Sequence, residues 1–265
     1  MKSVVRYCVI ASILLLTSAG VASAQDFERS YRVGPSGSVS IRNVSGNVEV
    51  TGHDGDSVVV RATKEGEDRD AVEIEDLSAG DRVELRAKYP RDCYNCNASL
   101  KFEVRVPRDA SVRLDPISTA SGDIQITNLR GDVRVNTASG NVTVENVSGD
   151  INASTASGEM RVRNVSGSVN ASSASGDVEV DIARLEGGAP MKFSSASGNV
   201  SVRLPSGIDA DVVMSTASGR IRTDFPIEVR ESRRGSGSRA EGRLGSGARN
   251  VRISTASGDV SLTKN

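Results

Sequence analysis

Glycine returns every nine residues through the middle of this chain, at 122, 131, 140, 149, 158, 167 and 176. The words around it alternate between T-A-S-G and N-V-S-G or N-L-R-G, so the true unit is eighteen residues. Counting from each glycine, positions +2 and +4 are apolar: Ile124/Ile126, Val133/Val135, Val142/Val144, Ile151/Ala153, Met160/Val162, Val169/Ala171 and Val178/Val180. Period two with β-branched residues marks a strand with one buried face. Position +7 is also apolar and alternates in size, as Leu129, Ala138, Val147, Ala156, Val165 and Ala174. We expect it to point inward at both kinds of corner. About five residues at 3.3 Å span roughly 16 Å, and the Ser-Gly-Asp/Asn group turns the chain. Two strands and two turns then make one coil, and the next coil stacks about 4.8 Å above it.

The fold class expected is therefore all-β, a single-stranded β-solenoid of short two-strand, 18-residue coils with a less regular N-terminal part. Gly46, Gly198, Gly219 and Gly258 stand in equivalent words outside the array. With Gly122, Gly131, Gly140, Gly149, Gly158, Gly167 and Gly176 they are the expected turn glycines, needed where the corner demands φ > 0. The chain has eight aromatic residues in 265 and no Trp. A thin stacked column of Val, Ile and Ala tolerates that poverty better than a broad globular core does.

Residues 1–24 read as a signal peptide. Lys2 and Arg6 precede the apolar run Tyr7–Leu16, too short to span a bilayer, and Ala22-Ser23-Ala24 offers small residues for cleavage before Gln25. Residues 25–265 are expected to form one β-solenoid domain. It divides into irregular N-terminal coils and a cap (25–115), regular repeats (116–182) and looser C-terminal coils (183–265). Leu185–Pro190 is an insertion, and 230–249 a Gly/Ser/Arg-rich excursion, either a loop or a hairpin. Without the leader, 31 basic residues face 34 acidic ones. That balance gives no overall pull toward nucleic acid, and no membrane span is expected in the mature chain. Cys93 and Cys96 remain, in C-Y-N-C, and in an oxidising compartment we expect a structural disulfide.

Candidate chemistry is sparse. The residue after each glycine suggests a calcium ladder, Asp123, Asn141, Glu159 and Asp177 along one corner. Calcium-binding nine-residue repeats carry more glycines at other positions, so we read these acids as turn chemistry and expect no metal or cofactor. The hydroxyls Thr119/Thr137/Thr155/Ser173 and Ser121/Ser139/Ser157/Ser175 are expected to satisfy one another along the corner. His53, the only histidine, sits in T-G-H-D-G and reads as an exposed turn residue. Arg230, Arg233, Arg234, Arg239, Arg243 and Arg249 form a basic cluster diluted by Glu228, Glu231 and Glu241. No aromatic residue interleaves it for base stacking. No catalytic residue is assigned.

The recurrent T-A-S-G-D-V words, V-P-R-D-A-S-V at 106–112 and T-D-F-P at 223–226 resemble the exported bacterial β-strand-repeat family of unknown function, often labelled putative adhesins. The resemblance covers about residues 36–263 and implies a periplasmic or cell-surface location. It implies a non-enzymatic, adhesin-like scaffold whose partner is an unknown envelope protein or glycan. Two alternatives stand beside it. A periplasmic polysaccharide-acting enzyme on a β-helix requires acids from neighbouring coils to converge in a groove. A periplasmic component of envelope-stress signalling requires a defined protein partner.

Overall fold

The structure, a computed structural model, describes residues 26–90, 96–231 and 237–265. The expected signal peptide, Cys93, Arg233 and Arg234 lie outside them. The N-terminal part holds β1 (Phe27–Tyr31), β2 (Ser38–Arg42), β3 (Val48–His53), β4 (Val58–Glu65), β5 (Glu73–Asp76), β6 (Arg82–Lys88) and β7 (Ser99–Pro107). The middle holds β8 (Arg113–Ser121), β9 (Ile124–Arg130), β10 (Val133–Ser139), β11 (Val142–Ser148), β12 (Ile151–Ser157), β13 (Met160–Ser166), β14 (Val169–Ser175), β15 (Val178–Arg184), β16 (Met191–Ser197) and β17 (Val200–Leu204). The C-terminal part holds β18 (Ala210–Ser218), β19 (Ile221–Thr223), β20 (Glu228–Glu231), β21 (Ser238–Leu244), β22 (Asn250–Ser257) and β23 (Val260–Lys264).

These strands build two facing sheets, so the chain is a two-sheet β-solenoid. Sheet I has 11 strands in the order β1-β4-β7-β3-β9-β11-β13-β15-β17-β23-β19. Sheet II has 12, in the order β20-β21-β18-β22-β16-β14-β12-β10-β8-β2-β6-β5. From β8 to β17 successive strands alternate between the sheets and pair in parallel with the strand one coil away. Val133 lies beside Ile151 and Val142 beside Met160, the eighteen-residue step of the sequence. Beyond β15 the step widens, pairing Val178 with Val200, because Leu185–Pro190 is inserted between β15 and β16. The buried faces of both sheets form one core cluster from Val39 to Leu262.

The two ends depart from chain order. The coil β2–β3 sits between β6–β7 and β8–β9, although β6–β7 comes later in the chain. At the other end β22–β23 slides between β16–β17 and β18–β19, so the last residues of the chain are not the last coil of the column. Antiparallel strands then finish the ends: β1 on β4 on β7, β5 on β6, and β20 on β21 on β18. In the described part of 230–249, β21 pairs antiparallel with both β18 and β20 and extends sheet II, with Ala240 and Leu244 turned inward. The outermost strands carry charge (F-E-R-S-Y, E-I-E-D, E-V-R-E) or are only three residues long, as in β19. Charged and short edges discourage pairing with further chains.

Candidate functional site

The corners hold most residues that the sequence singles out. Gly46, Gly122, Gly131, Gly140, Gly149, Gly158, Gly167, Gly176, Gly198, Gly219 and Gly258 all have φ between +109° and +156°. At Gly140 a second constraint joins the dihedral. A Cβ there would stand 2.0 Å from the carbonyl oxygen of Gly122, one coil below. The glycines therefore stack on one another's backbones, and the column has no room for a side chain at that point.

The residue after the glycine bonds to the next coil. Asn141 N–H donates to Asp123 Oδ1 at 2.7 Å, Glu159 N–H to Asn141 Oδ1 at 2.9 Å, and Asn199 N–H to Asp177 Oδ1 at 2.7 Å. At the opposite corner Asp150 N–H donates to Asp132 Oδ1 at 3.0 Å. Each acid or amide thus satisfies a backbone N–H at the turn, where the sheet ladder does not reach. The same use recurs at the C-terminal end, where Arg220 N–H donates to Asp259 Oδ1 at 2.9 Å. That bond, reinforced by the guanidinium charges of Arg220 and Arg222, holds the Asp259 carboxyl below the usual carboxylate range.

Two expectations about the corners fail. The alanines of the T-A-S-G words point outward: Ala120, Ala138, Ala156 and Ala174 are exposed, while Thr119, Thr137, Thr155 and Ser173 are buried. Nor do those hydroxyls satisfy one another. Thr137 Oγ1 donates to the Gly122 carbonyl at 3.3 Å and Thr155 Oγ1 to that of Gly140 at 3.2 Å. Strands of sheet II keep period two for one step longer, so +2, +4 and +6 face the core. Strands of sheet I change phase at Asn128, Asn146 and Asn164, which adopt left-handed φ of 58°, 56° and 50°. That extra turn carries Leu129, Val147 and Val165 inward at +7. The asparagines form their own ladder, Asn146 Nδ2 donating to Asn128 Oδ1 at 3.0 Å. Sequence reasoning missed it, although N-L-R-G and N-V-S-G, with a residue type tolerant of the left-handed region, contained the signal.

His53 is not the exposed turn residue expected: it is the last residue of β3, half-buried and in register with Pro107 of β7. Its Nδ1 accepts the Gly55 N–H at 3.1 Å, so Nε2 carries the proton and donates to the Ser57 carbonyl at 2.8 Å. Of the four described arginines of the cluster, three are ion-paired: Arg230 with Glu228, Arg239 with Glu241 and Arg243 with Asp211. Arg249 donates to the Gly187 carbonyl at 2.6 Å. Behind Arg243, Asp209 closes the loop Gly245–Ala248 by accepting the N–H groups of Gly247 and Ala248 and the Ser246 hydroxyl. The Ala248 N–H and the Ser246 hydroxyl, chiefly, lower the Asp209 carboxyl below its ordinary value. Cys96 is half-buried in the β6–β7 connection; its expected partner Cys93 is not among the described residues.

The two outer faces of the column differ. On sheet I the outward rows mix signs and pair them: Arg161 with Glu159, Arg163 with Glu179 at 3.0 Å, Arg203 with Asp181 at 3.2 Å. On sheet II, from β10 to β22, one row runs Arg134, Asn152, Asn170, Lys192, Arg252 and the next Asn136, Ser154, Ser172, Ser194, Ser254. No carboxylate stands in either row. Two shallow hollows lie along this face, of about 390 Å³ over Asn152 and about 320 Å³ over Arg252, and Asn170 and Lys192 line both. Among the described residues no group of three or more His, Cys, Asp or Glu is placed to hold a metal ion, and no helix is long and apolar enough to cross a membrane.

Such an arrangement defines a class: a stacked two-sheet column whose polar corner groups bind its own backbone and whose outward rows are polar. The chain belongs to the Toastrack DUF4097 family, whose model matches residues 38–263. Among solved structures it is similar to a putative adhesin from Parabacteroides distasonis ATCC 8503, at 12% identity and a TM-score of 0.43 over 89% of this chain and 96% of that one. It is similar also to a putative cell adhesion protein from Clostridium sporogenes ATCC 15579, at 11% identity and a TM-score of 0.42 over 90% of this chain and 99% of that one. No curated protein matches the chain.

Proposed function

We propose that this protein is a non-catalytic interaction scaffold, exported to the periplasm or surface of a bacterium and built to present flat sheet faces to an envelope partner. One observation carries the reading: the acids and hydroxyls most able to do chemistry are spent on the fold. Asp123, Asp132, Asn141 and Asp177 each hold a backbone N–H of the next coil, and Thr137 and Thr155 hold glycine carbonyls. A polysaccharide-cleaving site would need such acids free and converging. The signal-peptide pattern read in residues 1–24 supports export, and an oxidising compartment would let Cys93 and Cys96 close their small loop. Residues 25–265 act as one unit in this reading, a view supported by each sheet holding both N-terminal and C-terminal strands. Affinity capture from bacterial envelope extracts with the purified protein tests it. Specific retention of a glycan or an envelope protein is expected; retention of nothing, or turnover of an envelope polysaccharide, overturns it.

A further inference from the structure

The outer face of sheet II carries a charge arrangement that the fold does not need. Lys192 and Arg252 are register neighbours on adjacent parallel strands, both exposed. Neither has a carboxylate within 4.0 Å among the described residues. Like charges side by side on a sheet face destabilise it. The surroundings do not relieve them. The corner residues one before Met191 and its register partner Val251 are Pro190 and Asn250, whereas those one before Val133 and Ile151 are Asp132 and Asp150. Asp211, which lines the hollow over Arg252, is held by both Arg243 Nε at 2.7 Å and Arg243 Nη2 at 3.1 Å. Beside the cations runs a track of amides and hydroxyls, fixed in orientation by Asn170 Nδ2 donating to Asn152 Oδ1 at 3.3 Å and Ser154 Oγ to Asn136 Oδ1 at 2.6 Å.

We propose that this face binds a linear anionic polysaccharide lying along the stacking axis. Lys192 and Arg252 meet its charges, and the Asn152–Asn170 and Ser154–Ser172–Ser194 rows meet its hydroxyls. Charge complementarity selects an anion. The flat, repeating track, with a new strand about every 4.8 Å, selects a linear polymer over a compact ligand. Nucleic acid fits less well, because these rows contain no aromatic side chain for base stacking. A protein partner would want a buried aromatic or Arg anchor pocket, which this flat surface does not supply. The proposal rests on the scaffold reading above and gives it a ligand class and a face.

Affinity electrophoresis of the purified protein through gels containing polygalacturonate, dextran or oligo-dT tests it. Retardation by polygalacturonate alone is expected. K192A/R252A should lose at least about tenfold in apparent affinity while its melting temperature stays equal or rises, since the like-charge pair is gone. R161A/R203A, on sheet I, should bind as the unaltered protein does. Absence of polygalacturonate retardation, equal retardation by oligo-dT, or equal loss in R161A/R203A would each overturn the proposal. The same proteins passed over intact envelope material separate the two levels of inference. Envelope retention without polygalacturonate binding removes the polysaccharide face and leaves the scaffold, whereas no retention at all removes the scaffold reading too.

Discussion

The middle coils and the two ends are made of similar strands and held in different ways. Between β10 and β15 a residue's neighbours are its own counterparts eighteen positions away, as Val133 with Ile151 and Ile151 with Val169. At the ends the neighbours are distant. Val39 lies between Val83 and Leu114, and Val251 between Met191 and Val212. The middle is a one-dimensional stack in which each coil depends on the next. The ends are threaded: a coil early or late in the chain is inserted one place inside the column, which closes long loops before its contacts form.

Deleting residues breaks the comparison most severely. Excising 141–158 joins Gly140 to Glu159 and keeps every register, with Ile124 now beside Met160. We expect a shorter column with a strand-type circular dichroism spectrum and a melting temperature within a few degrees of the parent. Removing 250–265 takes out fewer residues and should do far more harm, because β16–β17 and β18–β19 then lose the coil between them. Loss of a single cooperative transition, with aggregation, is the expected result. Equal melting curves for the two deletions would show that threading is not what secures the C-terminal end.

Within the middle coils, single substitutions should grade in size. Gly140→Val places a branched side chain at φ +150° against the Gly122 carbonyl, and should cost at least about 3 kcal/mol in denaturant unfolding. Ala138→Val, two residues away and exposed, should stay within about 0.5 kcal/mol. Asn146→Ala forces an ordinary residue into the left-handed region and cuts the amide ladder, for about 1–2 kcal/mol. Asn146→Gly should recover part of that. If Ala138→Val proved as damaging as Gly140→Val, the outward orientation of the alanine would be wrong.

These differences also explain what the sequence made legible. The coil length, the inward +2 and +4 positions and the corner glycines follow from local rules, because period two and φ > 0 are properties of a few neighbouring residues. The alanine at 138 misled because apolar character was equated with burial, while Thr137, with its carbonyl partner one coil below, was the better inward residue. The β18–β22 pairing was beyond reach, since every coil carries nearly the same T-A-S-G word and the words do not say which copy stacks on which. Strand β21 hid behind the composition of S-R-A-E-G-R-L, whose period-two burial shows only once β18 supplies the other side. The cationic face of sheet II was equally hidden, because Lys192 and Arg252 are separated in sequence and adjoin only through the threaded coil.

The smallest expected effect concerns protons, and it belongs to the C-terminal end. The Asp209 and Asp259 carboxyls are held below their ordinary values mainly by the backbone N–H groups of Ala248 and Arg220. A depressed carboxyl contributes stability that is complete above the unfolded value, near 4, and is lost as pH falls through the folded value. Acid should therefore loosen this end before the middle. Between about pH 6 and about pH 3, protection of the Ala248 and Arg220 amides, corrected for intrinsic exchange, should fall. Protection of Val142 N–H, which donates to the Glu159 backbone carbonyl at 2.9 Å, should hold. Asp209→Asn removes the charge and keeps an acceptor oxygen, so its Ala248 protection should start lower and change little with pH. Ala248 protection in the parent protein that ignores pH over that range would mean that the loop at 245–248 is held by its own backbone and that Asp209 merely follows it.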